Sequence, residues 1–415
     1  MRLMLVILFA VSVFEGFATG GEIPFAKPEE VGMSSARLGK VDEAVLKLVE
    51  QNRLAGAIVV IARRGQIVHF KPYGLADMES KRPMTRDAIM RFYSMSKAIT
   101  STAVMILVDE GKVDVDAPAS NYLPELESLK VDTGKGLVSP NRQVTIADLL
   151  RHTAGMSYGK SPRPKADEAF KTVNPLDFKR PLSQMSARLS DVPLIYQPGT
   201  DWSYGISIDV LGQVVESVSG QRLDEFLSAR IFKPLAMHDT GFHVPAAKHD
   251  RFSQVYDSDG KGKLTPGDNA GRRDFSRPRA FHSGGGGLVS TARDYLRFLM
   301  MIQQGGALGD VRILSAETVA QMTVDQLPKA VPHIYFGRQQ RVGVGFGFGF
   351  SVRTKLSEWD PTGRVGEYGW GGLASTHYWV SPKDELIVIT LEQTLPYSFM
   401  TEFALKGLIY DALED

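Results

Sequence analysis

Three serine–lysine pairs have a spacing that allows chemistry between their side chains. The pattern Ser-x-x-Lys occurs at Ser94–Lys97, Ser157–Lys160 and Ser258–Lys261. On a helix, residues three apart share a face, so the lysine amine can reach the serine hydroxyl. A serine whose proton is taken by a neighbouring base is a nucleophile suited to covalent catalysis. Because the chain contains three copies, the spacing alone selects none of them.

The sequence around Ser94 distinguishes the first pair. Ser94 follows the short apolar stretch Ala88–Tyr93 and opens a predicted helix, Ser94–Glu110, that is apolar on all sides and closed by Gly111. The start of a helix stabilises negative charge on the serine oxygen and supplies a backbone N–H for an oxyanion. We expect burial to lower the pKa of Lys97 towards neutrality, so that its amine can take the serine proton. The alternative is a capping serine beside a lysine that extends towards solvent.

The other two serines lie in less suitable contexts. Ser157 belongs to Gly155–Gly159, which matches the Gly-x-Ser-x-Gly elbow of α/β-hydrolases, where the serine sits between a strand and a helix. Here a helical pattern, Val144–His152, precedes the serine, and a loop with prolines and lysines follows it. Ser258 lies in a polar turn, Asp-Ser-Asp-Gly-Lys. Ser94 is therefore the predicted nucleophile, and Ser157 is the alternative.

A later segment resembles part of a known superfamily. Pro198–Gly212, with Tyr204 near its centre, resembles the segment that carries the catalytic tyrosine in serine β-lactamases and penicillin-binding proteins. The strongest similarity is to the family VIII carboxylesterases, which look like class C β-lactamases. Four other stretches match in the same order along the chain: Leu149–Gly155, Pro234–Phe242, Gly284–Thr291 and Gly369–Gly372. The resemblance extends over about residues 30–410.

The resemblance implies a role for each matching residue. Ser94 matches the nucleophile, Lys97 matches its activating partner, and Tyr204 matches the tyrosine that exchanges the proton between nucleophile and leaving group. The backbone N–H groups of Ser94 and Leu373 would form the oxyanion hole. A tyrosine is a poor base at its ordinary pKa near 10, so Tyr204 needs a nearby cation such as Lys97. The alternative for Tyr204 is an interior tyrosine with a hydrogen-bonded hydroxyl. The substrate-binding third motif of the superfamily is matched by Trp370, Gly371 and Gly372.

Two departures from the superfamily pattern bear on the substrate. Ile206 stands where β-lactamases and peptidases have an asparagine that contacts the substrate amide, and Trp370 stands where they have a basic residue. An aromatic wall without these polar groups suits an uncharged acyl ester. The resemblance therefore predicts hydrolysis of short-acyl carboxylic esters through an acyl-enzyme on Ser94. Two alternatives stay open: a β-lactamase, D-alanyl-D-alanine carboxypeptidase or D-aminopeptidase, and a non-catalytic binding protein with this fold.

The helices and strands expected around these residues indicate an α+β fold. We expect a central antiparallel sheet flanked by helices, built from residues 21–112 and 280–415, and interrupted by a mainly helical lobe at 113–279. The hydrophobic spacing predicts helices at Ser34–Asn52, Ile206–Ser219 and Phe399–Leu413. It predicts strands at Ala57–Ala62, Gln66–Tyr73, Val342–Val352, Leu373–Val380 and Glu385–Gln393, the first two forming a hairpin. Long surface loops are expected at Ser157–Arg180 and Asp257–Arg279.

Composition excludes several classes of function. The 48 basic and 47 acidic residues give a net charge of +1, so a nucleic-acid partner is not expected. The absence of cysteine excludes thiol catalysis, disulfides and cysteine metal sites, and the eight histidines show no metal-ligand spacing. The glycine-rich stretches Gly284–Gly287 and Gly343–Phe350 lack the context of phosphate or dinucleotide loops. We therefore expect a small-molecule substrate, no cofactor and no metal.

The first 20 residues have the pattern of an export signal. Arg2 precedes an apolar run, Leu3–Phe14, that is too short to span a bilayer, and small residues follow. This pattern predicts a signal peptide and an exported protein, with no membrane span once the signal is removed. The alternative is a buried N-terminal helix.

Overall fold

The computed structural model describes residues 21–267, 274–337 and 339–414. The predicted signal peptide, residues 1–20, lies outside the described residues. Across the described ranges, no helix combines the length and apolar character needed to cross a membrane.

An eight-stranded antiparallel sheet forms the centre of the described chain. The strands are β1 (Gly56–Arg63), β2 (Gln66–Asp77), β3 (Arg82–Pro83), β4 (Val344–Phe346), β5 (Ser351–Arg353), β6 (Tyr368–Gly372), β7 (Thr376–Ser381) and β8 (Leu386–Glu392), in the order β4-β5-β6-β7-β8-β1-β2-β3. Every pair in this sheet is antiparallel. The sheet thus joins strands from both ends of the sequence, and the predicted α+β class with a central antiparallel sheet is confirmed.

Helices cover both faces of the sheet. They are α1 (Ser35–Glu50), α2 (Ser96–Asp109), α3 (Ile146–Leu150), α4 (Pro164–Val173), α5 (Met185–Leu189), α6 (Ser207–Ser219), α7 (Leu223–Leu227), α8 (Ala292–Gln303), α9 (Ala316–Met322) and α10 (Met400–Asp411). α1 and α10 pack on one face around a small core, and the main core lies between the other face and helices that include α2, α6 and α8. Strand β1 serves both cores because successive side chains point to opposite faces, Ile58 to the main core and Val59 to the small one.

Several local predictions agree with the structure. Ser34 caps α1 by accepting a hydrogen bond from the Arg37 backbone N–H. The predicted hairpin is β1–β2, turned at Arg64 and Gly65, both with positive φ. Helix α6 ends at Gly220 in the left-handed conformation. The boundaries proposed for the two lobes, near residues 112 and 280, stay a prediction.

Four local predictions are wrong, two of them strands and two of them loops. The predicted strand Val342–Val352 is a hairpin of β4 and β5, because its glycines turn the chain between the two strands. In this turn Gly347 packs closely, since a Cβ there would lie 2.2 Å from the Met322 carbonyl oxygen. The predicted strand Leu373–Val380 is a turn followed by β7. The predicted loop Ser157–Arg180 contains the amphipathic helix α4. In the predicted loop Asp257–Arg279, the described part includes a strand, Leu264–Pro266, paired with Tyr256–Ser258.

A buried carboxyl at the end of β8 makes stability depend on pH. Burial raises the pKa of Glu392 to about 8, and its Oε1 accepts a hydrogen bond from the Thr401 hydroxyl at 2.8 Å. In the unfolded chain the same carboxyl ionises near its ordinary pKa of about 4.3. The folded state therefore holds the proton more tightly than the unfolded chain. The protonated Glu392 carboxyl contributes stability at acid pH, and this contribution is lost as the pH rises through about 8.

We expect Glu392→Gln to stabilise the protein at alkaline pH, because the amide needs no proton to stay neutral in this environment. The gain in unfolding free energy should reach up to about 5 kcal/mol near pH 9 and shrink towards zero at pH 5. Urea denaturation of wild type and variant at the two pH values measures the difference. Glu385→Gln, at an exposed carboxylate before the same strand, is the matched control with little expected effect. A gain of equal size at both pH values would contradict the assignment.

Candidate active site

Ser94 sits at a strained turn that leads into α2. The two-residue strand Met90–Arg91 pairs with Val289–Ser290, and a 3-10 turn, Tyr93–Met95, then runs into the helix. Tyr93 has a φ of 43°, a conformation that non-glycine residues rarely adopt and that is found at functional sites. The ring of Tyr93 packs edge-on against Phe275 at 5.7 Å. The predicted strand-then-helix context of Ser94 is therefore present, with the helix proper beginning two residues later.

Lys97 is fully buried and contacts the predicted nucleophile. Its Nζ donates hydrogen bonds to Ser94 Oγ and to the Tyr158 hydroxyl, each at 3.3 Å. A third and shorter bond, 2.6 Å, goes to the backbone carbonyl of Gly285. The ammonium also lies 4.6 Å from the centre of the Tyr204 ring. The structure thus brings together Ser94, Lys97 and Tyr204, which are far apart in the sequence.

The charge state of Lys97 differs from the sequence expectation. Burial by itself lowers the pKa of Lys97, but attraction to the Tyr158 and Tyr204 oxygens and to the Asp209 carboxylate outweighs it. The pKa of Lys97 consequently lies above its ordinary value, and the predicted fall towards neutrality is wrong. Lys97 is a cation at neutral pH, so it stabilises negative charge on neighbouring oxygens rather than taking a proton itself.

Tyr204 is held by aromatic rings in the loop before α6. The indole N–H of Trp370 donates to the Tyr204 hydroxyl at 3.3 Å. The ring of Tyr204 lies 5.0 Å from His152, 5.4 Å from Phe336 and 6.1 Å from Trp202. These contacts fix the ring while its oxygen faces a cation and a hydrogen-bond donor. The arrangement suits a phenol that passes a proton between two oxygens.

The third-motif residues lie at the end of strand β6, next to the serine turn. A Cβ at Gly372 would lie 2.3 Å from the Phe92 carbonyl oxygen, so glycine allows this close approach. Gly371 likewise leaves no room for a side chain, since a Cβ there would lie 2.8 Å from the Tyr397 hydroxyl. Leu373 follows the strand, and its side chain is 47% exposed. The strand end therefore lies beside the turn that carries Ser94, and the oxyanion hole of the Ser94 and Leu373 N–H groups stays a prediction.

Ile206 lies directly before α6 and is fully buried in the main core. Its side chain anchors the loop that carries Tyr204, and its predicted contact with the substrate stays a prediction.

The serines of the other two Ser-x-x-Lys copies form hydrogen bonds within their own turns. Ser157 Oγ accepts a hydrogen bond from the Gly159 backbone at 3.1 Å, and Ser258 Oγ accepts one from the Gly260 backbone at 3.1 Å. Both are bonds between a side chain and the backbone two residues ahead, which stabilise turns. Neither hydroxyl makes a described hydrogen bond to a lysine amine.

Two residues of the site were missed by the sequence analysis. No motif in the sequence marks Tyr158, which follows Ser157 in the same loop. Its hydroxyl nevertheless accepts a hydrogen bond from Lys97 Nζ. His152 has a φ of 61°, packs edge-on against Trp202 and lies beside Tyr204. Burial, and to a smaller extent repulsion from Lys97, holds the pKa of His152 well below its ordinary value. His152 is therefore a neutral ring that supports Tyr204. The stretch Leu149–Gly155 matched the superfamily, which was the available signal for this region.

Comparison with known proteins agrees with this geometry. Residues 41–405 match the family model described as beta-lactamase. The chain belongs to the β-lactamase family. Membership accounts for the order of the matching stretches along the chain and for the sheet flanked by helices.

Relatives within the β-lactamase family include named esterases. Esterase EstB of Burkholderia gladioli is 34% identical over 300 residues, which cover 68% of this chain and 73% of that protein. Lovastatin esterase of Penicillium rubens is 29% identical over 353 residues, covering 80% of this chain and 82% of that protein. The solved structure of EstCE1, described as a hydrolase with promiscuous acyltransferase activity, shares the fold with a TM-score of 0.76 and 24% identity, over 90% of this chain and 98% of that chain. This β-lactamase family member is a hydrolase.

Proposed function

We propose that this protein is a serine carboxylesterase with Ser94 as its nucleophile. The observation that carries the proposal is the position of Lys97 Nζ, 3.3 Å from Ser94 Oγ and 4.6 Å from the Tyr204 ring centre. One buried cation is thereby shared by a candidate nucleophile and a candidate proton carrier. Folding alone does not require these three side chains to meet.

The proposed reaction proceeds through an acyl-enzyme. Ser94 Oγ attacks the ester carbonyl carbon, and its proton passes to the Tyr204 oxygen as Tyr204 gives its own phenol proton to the alcohol oxygen of the ester. The Lys97 charge stabilises the Ser94 and Tyr204 oxygens as these protons move. The bond to the alcohol then breaks, and the alcohol leaves with the proton from Tyr204. Water attacks the acyl-enzyme by the same route and releases the acid and free Ser94. Backbone N–H groups of Ser94 and Leu373 stabilise the oxyanion in both steps.

The walls of the site favour an uncharged ester. Trp370 occupies the position of a substrate-binding cation, and its indole N–H is engaged by Tyr204. Phe336 packs at 6.0 Å from Trp370, and the exposed Leu373 side chain lies at the end of the same strand. Apolar surfaces of this kind accept acyl chains. The esterase relatives support this substrate class.

A substrate panel tests the proposal. We expect the purified protein to hydrolyse short-acyl nitrophenyl esters, with little turnover of nitrocefin or of a D-alanyl-D-alanine peptide. Mass spectrometry of the quenched reaction should find the acyl group on Ser94. Turnover of the peptide or of nitrocefin above that of every ester would instead support a peptidase or β-lactamase. A folded protein that a fluorophosphonate probe does not label would support a non-catalytic binding protein.

The two tyrosines near Lys97 should differ in their contributions. We expect Tyr204→Phe to lower kcat for ester hydrolysis by about 10² to 10³-fold, because the variant has no oxygen to carry the proton. Tyr158→Phe should cost about tenfold, since Lys97 keeps its bonds to Ser94 and Gly285. Tyr335→Phe, in the same aromatic cluster against Trp202, is the matched control and should retain wild-type kcat. The assignment of Tyr204 as proton carrier fails if Tyr158→Phe loses more activity than Tyr204→Phe.

A further inference from the structure

A buried carboxylate is linked to Lys97 through the backbone of one residue, Gly285. Asp209, in the first turn of α6, is fully buried and forms no ion pair with any residue that the structure describes. Its Oδ1 accepts hydrogen bonds from the Ser283 hydroxyl at 2.5 Å and from the Gly285 backbone N–H at 3.1 Å. Its Oδ2 has no hydrogen-bond partner among the described residues. An uncompensated buried carboxylate is costly, so its presence calls for a reason beyond packing.

The residue that Asp209 binds also binds Lys97. The Gly285 N–H donates to Asp209, while the Gly285 carbonyl accepts the 2.6 Å bond from Lys97 Nζ. Glycine is required at this point, because a Cβ at residue 285 would lie 2.3 Å from Asp209 Oδ2. The carboxylate therefore packs directly against the residue whose carbonyl holds the ammonium. The order of contacts is the Asp209 carboxylate, the Gly285 backbone, the Lys97 ammonium and the Ser94 hydroxyl.

We propose that Asp209 is a positioning residue, which, together with Ser283, fixes the Gly285 carbonyl on Lys97 Nζ and supplies the negative charge that balances this buried ammonium. The inference rests on the proposed role of Ser94 as nucleophile. Asp209 touches neither the substrate nor Ser94 and acts through Lys97.

Asp209 is the carboxylate that acts on Lys97. The side chains facing Lys97 from the neighbouring elements are Ser94, Tyr158, Tyr204 and His152, and His152 is neutral because its pKa lies well below the ordinary value. The attraction that raises the pKa of Lys97 comes from the Tyr158 and Tyr204 oxygens and from the Asp209 carboxylate. Removing the carboxylate should therefore let Lys97 lose its proton at lower pH.

This inference is tested by the rate at which a fluorophosphonate labels Ser94. The rate is measured by mass spectrometry at a series of pH values. For Asp209→Asn we expect labelling near neutral pH to slow about tenfold, and the alkaline limb of the profile to move down by about one pH unit. Ser283→Ala keeps the carboxylate but removes one bond that holds it. This variant should label about threefold more slowly, with the alkaline limb unmoved.

The matched control is Asp294→Asn. Asp294 is another buried carboxylate, at the start of α8, that accepts hydrogen bonds from the Asp239 backbone and the Thr240 hydroxyl. It is not among the groups that raise the pKa of Lys97. Its amide variant should label like wild type across the pH range. An alkaline limb that stays in place in Asp209→Asn overturns the inference. A wild-type labelling rate in Ser283→Ala also overturns it, and this second variant provides the test if Asp209→Asn does not fold. A wild-type protein that takes no label contradicts the proposed function instead, so the two failures differ.

Discussion

Ser94→Ala is expected to reduce kcat/KM for a short-acyl nitrophenyl ester by at least about 10⁴-fold. Loss of the hydroxyl removes the atom that forms the acyl-enzyme, and no neighbouring oxygen or nitrogen takes its place at the turn before α2. The substitution removes one oxygen from a half-buried site, so the fold should be retained. Steady-state hydrolysis, together with thermal denaturation to verify folding, measures the effect.

Ser157→Ala is the matched control for this prediction. Ser157 shares the Ser-x-x-Lys pattern and also stands in a Gly-x-Ser-x-Gly sequence, but its hydroxyl caps a local turn. Its replacement should leave kcat/KM within about twofold of wild type. If Ser157→Ala abolished hydrolysis while Ser94→Ala did not, the proposed nucleophile would be wrong and the elbow serine would replace it.

Lys97→Met is the second substitution with a large expected effect. Methionine has a similar length and no charge, so the variant leaves Ser94 Oγ and the Gly285 carbonyl without the donor they now share. The negative charge that develops on Ser94 and Tyr204 would then be unbalanced in a buried site. We expect kcat to fall by about 10³-fold with a smaller change in KM, because the interaction matters most in the transition state.

The charge of Lys97 gives a second measurement on the same variant. Wild type holds a cation here, since the pKa of Lys97 lies above its ordinary value. Loss of this cation should remove from the pH profile of kcat/KM the alkaline limb that deprotonation of Lys97 produces. Lys160→Met, at the exposed lysine of the second Ser-x-x-Lys copy, should change neither kcat nor the profile. An alkaline limb that persists unchanged in Lys97→Met would contradict the role given to the Lys97 charge.

Local sequence determined much of the framework. The alternation in β1, the turn at Arg64 and Gly65, and the capping of α1 by Ser34 depend on neighbours within a few residues, and they appear in the structure as predicted. Ser94 was selected by the apolar stretch before it and the buried helix after it. Errors arose where glycines turn the chain back, as in β4–β5, since the pattern shows which residues are apolar but not where the pairing reverses.

By itself, then, the sequence determined the class of fold and the family, and it selected Ser94, Lys97 and Tyr204 as the candidate site, because these follow from local periodicity and from motif order. Only the tertiary structure decided their surroundings. Burial alone predicted a neutral Lys97, but contacts from residues 61 to 188 positions away set its charge and its hydrogen bonds. Likewise, Ile206 faces the core and Tyr158 faces the lysine, although both lie beside matching stretches. Electrostatic environment depends on which distant groups share a small volume, and that is fixed when the sheet and helices pack.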